Sequence, residues 1–238
     1  MNRTFKIVKW QLSRSKKGLI TFYLISVAMV IITILLQQNG IKKFLRVNGE
    51  ATGLGIASMI FLFISGLNYF KEEFKFLQAN SINRSMQFKT TIITFLALSV
   101  FMALINMVSG AIVNNFIPYR SLFERVYNDS NVFSVNIWTS SLHFFAITLG
   151  WFITLLYYRA SKTMRVLISV SPAFLIAVFA MVEKNAGVLI YEGLVKIFGR
   201  MMGIADGNSY ISVFSFLGLS VISLIFSYFL IRKAPLKA

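Results

Sequence analysis

Long apolar stretches alternate with short polar segments along this chain of 238 residues. Six of the stretches have roughly the 17–25 residues that an α-helix needs to cross about 30 Å of hydrocarbon. In chain order they are residues 19–37, 52–70, 90–113, 137–158, 165–182 and 210–231. The pattern predicts an all-α polytopic membrane protein with six transmembrane helices, organised as a single transmembrane domain over residues 1–238.

Two further segments are amphipathic. In residues 1–18, apolar Phe5, Val8 and Leu12 alternate with basic residues, which predicts an interfacial helix with Trp10 at the level of the lipid headgroups. In residues 185–203, an apolar face lies opposite the charged residues Glu192, Lys196 and Arg200. Charges in the middle of a span are unfavourable. We therefore expect an extracellular helix that re-enters the outer interface before the last span and is broken at Gly193 or Gly199.

The charges indicate the orientation of the chain. The net charge is +16, from 24 basic and 8 acidic residues. With six spans, sixteen of the basic residues lie on the side of both termini and eight on the other, while the acidic residues divide two to six in the opposite sense. Because cytoplasmic loops carry the excess of Lys and Arg, both termini are predicted to be cytoplasmic. The basic residues flank membrane spans, so they do not indicate a nucleic-acid partner.

The sequence offers few groups that could carry chemistry. It has no cysteine, and His143 is its single histidine, so no catalytic residue and no metal site is predicted. No acidic residue lies inside the six stretches, and apart from Arg165 at the first position of the fifth, His143 is their one strongly ionisable side chain. We expect His143 and Asn106 to hydrogen-bond to neighbouring helices. A proton-coupled transporter needs a titratable group at membrane depth, so any energy for transport should come from another molecule.

Small residues within the spans mark places where helices can approach closely. Ala146 with Gly150 forms one such pair, and Gly218 beside Ser215 is another candidate.

The longest predicted cytoplasmic feature is the loop 71–89. Its first half has the pattern of a short amphipathic helix that exposes Phe74, Phe76 and Leu77, which is typical of a docking surface. The alternative is that Phe74 and Leu77 lie on the membrane. Its second half is a polar turn of sequence Asn-Ser-Ile-Asn-Arg-Ser, which leads into the third span.

This loop resembles the loop between the second and third helices of six-helix ABC-2 type permeases. The shared pattern is F-x-x-L-x-x-N-S-I-N-R-S-x-x-F, beginning at Phe74, where such permeases often carry G-[IV]-[ST]-R-[KS]-x-x-F. Here Asn80 and Asn83 replace the frequent glycine and serine or threonine. The order of predicted elements also agrees along the whole chain. Small permeases of this kind resemble membrane subunits of Gram-positive exporters for phenol-soluble modulins and other amphipathic or antimicrobial peptides.

The resemblance implies a permease subunit in a bacterial cell membrane that exports a hydrophobic or amphipathic cargo. The chain itself would bind no cofactor, because ATP and Mg²⁺ would bind to a separate ABC ATPase subunit. A second permease copy, identical or paralogous, would complete the dimer. The loop 71–89 would form the ATPase-coupling contact, through Glu72, Glu73, Phe76, Leu77, Asn80 and Arg84.

In such permeases the second and fifth helices would line the cargo path. Ser58, Phe61, Ser65 and Asn68 share one face of the second predicted helix, and their mixture of aromatic and small polar side chains suits an amphipathic cargo. Phe174 in the fifth span is a further candidate. The alternative for all five is ordinary helix packing. Two other functions stay open: a membrane scaffold or sensor that transports nothing, and a secondary transporter, which the absence of an evident inverted repeat disfavours.

Overall fold

The computed structural model describes residues 3–38, 53–116, 118–127, 129, 131–185, 187–204 and 206–235; the side chains of 36–38 and of most residues between 172 and 194 are outside this description. The described residues form helices, with no strand among them. We number the helices in chain order as α1 (Arg3–Gln38), α2 (Gly53–Ala79), α3 (Arg84–Asn114), α4 (Leu122–Tyr127), α5 (Val132–Arg159), α6 (Lys162–Asn185), α7 (Gly187–Met201) and α8 (Ser209–Arg232). The predicted all-α fold class is confirmed.

Five of the described helices are long and apolar enough to span a membrane, namely α1, α2, α3, α5 and α8. The chain is therefore a multi-pass membrane protein. The sixth predicted span falls on α6, most of whose side chains lie outside the described residues. The count of six spans stays a prediction.

The central helix is α5, which packs against α2, α3 and α8 and also contacts α4 and α6. The main apolar core surrounds it, with Phe70, Phe95 and Trp151 fully buried. A second cluster lies towards the N-terminal end of α5, where Trp138 packs against Phe123. Phe123 belongs to α4, a helix that the sequence does not predict, because its single turn and a half is too short to show a period.

Two glycines allow α2 and α5 to cross with their backbones in contact. A Cβ atom on Gly66 would lie 2.2 Å from the carbonyl oxygen of Ile147, and one on Gly150 would lie 2.3 Å from that of Phe63. The prediction that Gly150 permits close approach is confirmed. The same prediction for Gly218 is wrong within the described part of the chain, where no atom lies within 4 Å of the place its Cβ would take.

The N-terminal segment does not form a separate helix. α1 runs unbroken for 36 residues, about 54 Å, so the predicted interfacial helix 1–18 and the first span are parts of one element. Ile7 and Val8 are buried, and Ile7 packs against Leu77 and Ile82 around the α2–α3 turn. Packing on the protein therefore holds this segment, in addition to any contact with lipid.

The amphipathic segment 185–203 contains α7, which contacts α6 and α8. α7 continues through Gly193 and Gly199, so the predicted break at these residues is wrong. It ends instead at Met201. Gly203 follows with a φ of +61°, which permits the amides of Gly203 and Ile204 to bond back to the carbonyls of Arg200 and Gly199. The side chain of Glu192 lies outside the described residues, and the re-entrant position of α7 in the outer interface stays a prediction.

Candidate functional site

The turn between α2 and α3 is fixed by backbone hydrogen bonds. The amide of Ile82 donates to the carbonyl of Leu77, and that of Ser81 donates to the carbonyl of Gln78. This is the Schellman arrangement, in which the residue between the helices takes a left-handed conformation; here that residue is Ser81, with φ of +54°. The side chain of Asn83 then caps α3 by accepting the amide of Ser85. The turn is short, and backbone groups at the end of α2 and the start of α3 have hydrogen-bond partners in it.

Both ends of the described chain contact this turn region. Trp10 of α1 stacks on Phe76, with ring centroids 4.3 Å apart, and Arg14 forms an ion pair with Glu72. From the other end, the carbonyl oxygen of Arg232 accepts a hydrogen bond of 2.7 Å from Arg84 Nη1. The N-terminal part of α1, the α2–α3 turn and the C-terminal end of α8 therefore meet at one end of the bundle, which we call the basic end.

The predicted coupling residues do not share one surface. Glu72, Phe76 and Asn80 are exposed, and Arg84 is partly covered, with its guanidinium over the ring of Phe74. Leu77 is buried, as is Glu73.

The expected separate amphipathic helix is absent from this part of the described chain, because α2 continues without a break to Ala79. The prediction that Phe74 and Leu77 are exposed is wrong, since both are packed inside the protein. The alternative that they lie on the membrane is wrong for the same reason. Phe76, at 45% exposure, agrees with the prediction.

A cavity of about 310 Å³ lies next to this region, mainly between α1 and α2. Three of the predicted path residues, Phe61, Ser65 and Asn68, line it together. Its other lining residues mix polar and apolar side chains: Gln11, Arg14, Ser15, Gly18, Leu19, Leu62, Ile64, Tyr69, Glu73, Leu98 and Ile147. An amphipathic molecule suits such a lining better than a purely apolar one does.

The cavity contains a buried carboxylate that the sequence analysis missed. Glu73 is 3% exposed, and its Oε1 has no hydrogen-bond partner among the described residues. Gln11 and Tyr69 lie close enough to the Glu73 carboxyl group to act on it as hydrogen-bond donors. The Tyr69 hydroxyl is buried, and no described residue forms a hydrogen bond of good geometry with it. Glu73 follows the second apolar stretch by three residues, so hydropathy alone places it in a loop. The helical spacing Leu62, Gly66, Phe70, Glu73 would have placed it on the buried face of α2.

The remaining predicted path residues lie elsewhere. Phe174 is on α6, is 64% exposed and is not among the residues that line the cavity. Ser58 is fully buried in a polar cluster that joins three helices. Asn106 Nδ2 of α3 donates to Ser58 Oγ at 2.6 Å, and His143 Nε2 of α5 lies 2.9 Å from the same oxygen.

His143 also links this polar cluster to a backbone carbonyl of α3. His143 Nδ1 lies 3.4 Å from the carbonyl oxygen of Ser99. Protonation at Nδ1 lets the ring donate to the carbonyl of Ser99. The Ser58 hydroxyl lies 2.9 Å from both His143 Nε2 and the carbonyl oxygen of Gly55, and its single proton can be donated to only one of them at a time. The predictions that His143 and Asn106 hydrogen-bond to neighbouring helices are confirmed.

Among the cavities that described residues form away from the basic end, two differ clearly in their lining. One of about 210 Å³ is lined by Gly110, Tyr119, Glu124 and Trp138, among others, and burial together with the nearby Glu124 raises the pKa of Tyr119 to about 12. The other, of about 500 Å³, is an apolar groove between the C-terminal halves of α1 and α3.

No group of His, Cys, Asp and Glu that could hold a metal ion occurs within the described part of the chain. No protein-family model matches the chain, and no match was found among curated proteins or solved structures.

Proposed function

We propose that the chain is the membrane-spanning permease subunit of an ATP-driven exporter, which moves a hydrophobic or amphipathic cargo, such as a peptide, out of a bacterial cell. ATP and Mg²⁺ would bind to a separate ATPase subunit on the cytoplasmic side, and a second permease copy would complete the transporter. The observation that carries the proposal is the α2–α3 turn, which is a fixed connection at the basic end of the bundle.

The turn is connected to most of the bundle. Through Leu77 and Ile82 it packs against Ile7 of α1, and through Arg84 it bonds to the last turn of α8. A partner that pushes on this turn would therefore move α1, α2, α3 and α8 together. A long flexible loop would absorb the same push.

The turn and the cavity also share one helix. α2 is unbroken between Phe61, which lines the cavity, and Ala79, where the turn begins. At 1.5 Å per residue, a displacement at the turn reaches the cavity along about 27 Å of continuous helix. In the proposed transporter, this helix would carry a displacement from the ATPase to the cavity.

The basic end is assigned to the cytoplasm on its charge. Six Lys and Arg residues precede residue 18, and Lys71, Lys75, Arg84, Lys89 and Arg232 are at or near the same end. Cytoplasmic segments carry such an excess. Both chain termini would then be cytoplasmic, on the same side as the ATPase.

One observation favours a second candidate function, a proton-coupled secondary transporter. The sequence argument against it was the lack of a titratable group at membrane depth other than His143. Glu73 is a buried carboxylate in a cavity, and carboxylates in such positions serve as proton carriers in transporters. This candidate predicts transport by the chain alone in liposomes under a proton gradient, without an ATPase.

Affinity purification in mild detergent tests the proposal. The tagged chain should retain a Mg²⁺-dependent, vanadate-sensitive ATPase. Phe76→Ala should reduce the retained ATPase activity about tenfold, because loss of an exposed aromatic anchor weakens the free energy of binding to the ATPase by more than about 1 kcal/mol.

Trp10→Ala is the matched control, because it removes the same stacking contact from the other ring and leaves Phe76 in place. If both variants lose the ATPase equally, the contact within the chain is responsible, and Phe76 does not bind the partner. If the wild-type chain retains no ATPase, the proposal is wrong.

A further inference from the structure

The cavity at the basic end holds two polar atoms that lack partners and belong to neighbouring positions on one helix face. Glu73 Oε1 and the hydroxyl of Tyr69 are both buried, and neither has a hydrogen-bond partner among the described residues. Residues four apart in a helix are neighbours on its surface, so the two side chains border the same part of the cavity.

The basic residue that lines this cavity, Arg14, is already paired with a different carboxylate. Arg14 lines the cavity and acts on the Glu73 carboxylate, but its guanidinium forms its ion pair with Glu72. Gln11 and Tyr69 offer hydrogen bonds to the Glu73 carboxyl group, but Oε1 is left without a partner and neither side chain carries a positive charge. A buried carboxylate without a cation is costly. The arrangement therefore lacks a cation, which a ligand can supply.

The apolar residues that line the cavity indicate what else the ligand must contain. Leu19, Phe61, Leu62, Leu98 and Ile147 supply apolar surface in the same cavity. A ligand that fills it needs an apolar chain together with a group that donates hydrogen bonds and carries positive charge.

We propose that this cavity binds a primary ammonium group attached to an apolar chain, with Glu73 and Tyr69 as its acceptors. An ammonium carries three N–H donors, enough for both unpartnered oxygens. A trimethylammonium group carries none and would leave both oxygens unsatisfied. The inference deepens the proposed function by naming the chemical class of the cargo, and it rests on that function only for the statement that the ligand is transported.

Photolabelling of the full chain in phosphatidylglycerol nanodiscs tests the proposal. The probe is a diazirine-bearing alkyl primary amine, and the matching diazirine-bearing alkyl alcohol is the uncharged control. Labelled residues are identified by mass spectrometry. The amine should label the cavity-lining parts of α1 and α2, and dodecylamine should compete with it while dodecyltrimethylammonium should not.

The variants separate this site from general membrane partitioning. Glu73→Gln should reduce amine labelling of the cavity about tenfold or more, as expected for a lost hydrogen bond to a charged group. Glu72→Gln frees Arg14 from its ion pair to neutralise Glu73, so it should also reduce labelling. Glu124→Gln changes a carboxylate outside this cavity and should leave labelling unchanged. Tyr69→Phe, which removes one oxygen and keeps the ring, should reduce amine labelling and leave alcohol labelling unchanged, and it serves as the second variant if Glu73→Gln does not fold.

Competition identifies the source of the ammonium. Phosphatidylethanolamine as the better competitor would indicate a lipid headgroup, and a lysine-bearing amphipathic peptide as the better competitor would indicate a peptide; either result supports the site. Equal labelling by amine and alcohol, or amine labelling that Glu73→Gln leaves unchanged, would overturn it. The measurement needs no ATPase and no ATP, so it can succeed where the proposed function fails.

Discussion

At the residue scale, the α2–α3 turn contains a side chain in an unfavourable backbone conformation. Ser81 has φ of +54°, a region that costs an L-residue about 1–2 kcal/mol relative to glycine. The glycine of the pattern G-[IV]-[ST]-R directly precedes the position that Ile82 occupies here, so it aligns with Ser81. The alignment of that glycine with Asn80 in the sequence analysis is therefore wrong by one position.

Ser81→Gly should stabilise the protein by up to about 1 kcal/mol, because relief of the left-handed strain outweighs the extra freedom of glycine in the unfolded chain. Thermal unfolding in detergent, followed by circular dichroism, measures the change. The matched control is Ser85→Gly in the first turn of α3, which should destabilise by about 0.5–1 kcal/mol. Destabilisation by Ser81→Gly as large as that of the control would show that the turn does not need glycine-like freedom.

Glu73 shows what residue-level reasoning could and could not reach. Hydropathy ends the second apolar stretch at Phe70, because Lys71, Glu72 and Glu73 follow. Two of these three charges are exposed and one is buried, and only the helical period distinguishes them. The sequence could therefore have placed Glu73 on the core face. It could not have shown the lack of a partner for Oε1, which depends on how Arg14 of a distant helix is paired.

At the element scale, the contact between α2 and α5 depends on two positions without side chains. The backbone of each helix occupies the space that a Cβ on the other would fill. The contact is reinforced by Thr154, whose hydroxyl donates to the carbonyl of Leu67 at 2.6 Å. Because α5 is the central helix of the bundle, separation of this pair would disturb the whole packing.

Gly66→Ala and Gly150→Ala should each destabilise the protein by about 1–3 kcal/mol, the usual cost of overpacking a close contact. The rigid obstacle is backbone in both cases, so no side chain can move aside. Unfolding in mixed micelles with increasing SDS measures the effect. Gly218→Ala is the control, since its Cβ would meet open space, and it should be neutral or slightly stabilising. A neutral result for both core glycines would contradict the close crossing.

The sequence predicted the existence of the helices better than their limits. Apolar stretches mark only the part of a helix that lies in hydrocarbon, whereas α1 and α2 both continue into polar segments. There they pack on each other through Trp10 and Phe76, and through Arg14 and Glu72. These contacts join residues more than 50 positions apart in the sequence. The local hydropathy pattern does not contain them, so it predicts two separate segments where the structure has one continuous helix.

At the scale of the whole molecule, the path of the chain constrains the topology. α5 ends near the basic end, where the hydroxyl of Tyr158 donates to the carbonyl of Pro235. α8 begins at the opposite end, where Ser212 contacts Tyr127 and Trp138 near the start of α5. The chain must therefore cross the bundle between Arg159 and Ser209. α6, at 24 residues or about 36 Å, is long enough for this, whereas α7, at 15 residues or about 22 Å, is not.

The path predicts six crossings with both chain ends on the same side, and the absence of cysteine makes the prediction simple to measure. Single cysteines at Lys16, Lys162 and Lys233 should be shielded from a membrane-impermeant maleimide in intact cells and react after permeabilisation. Cysteines at Asn115 and Asp206, which are exposed at or near the opposite end, should react in intact cells. The decisive pair is Lys162 and Asp206, because α6 and α7 lie between them. Reaction of both from the same side would mean that α6 does not cross, and the positions of α5 and α8 would then require another route for the chain.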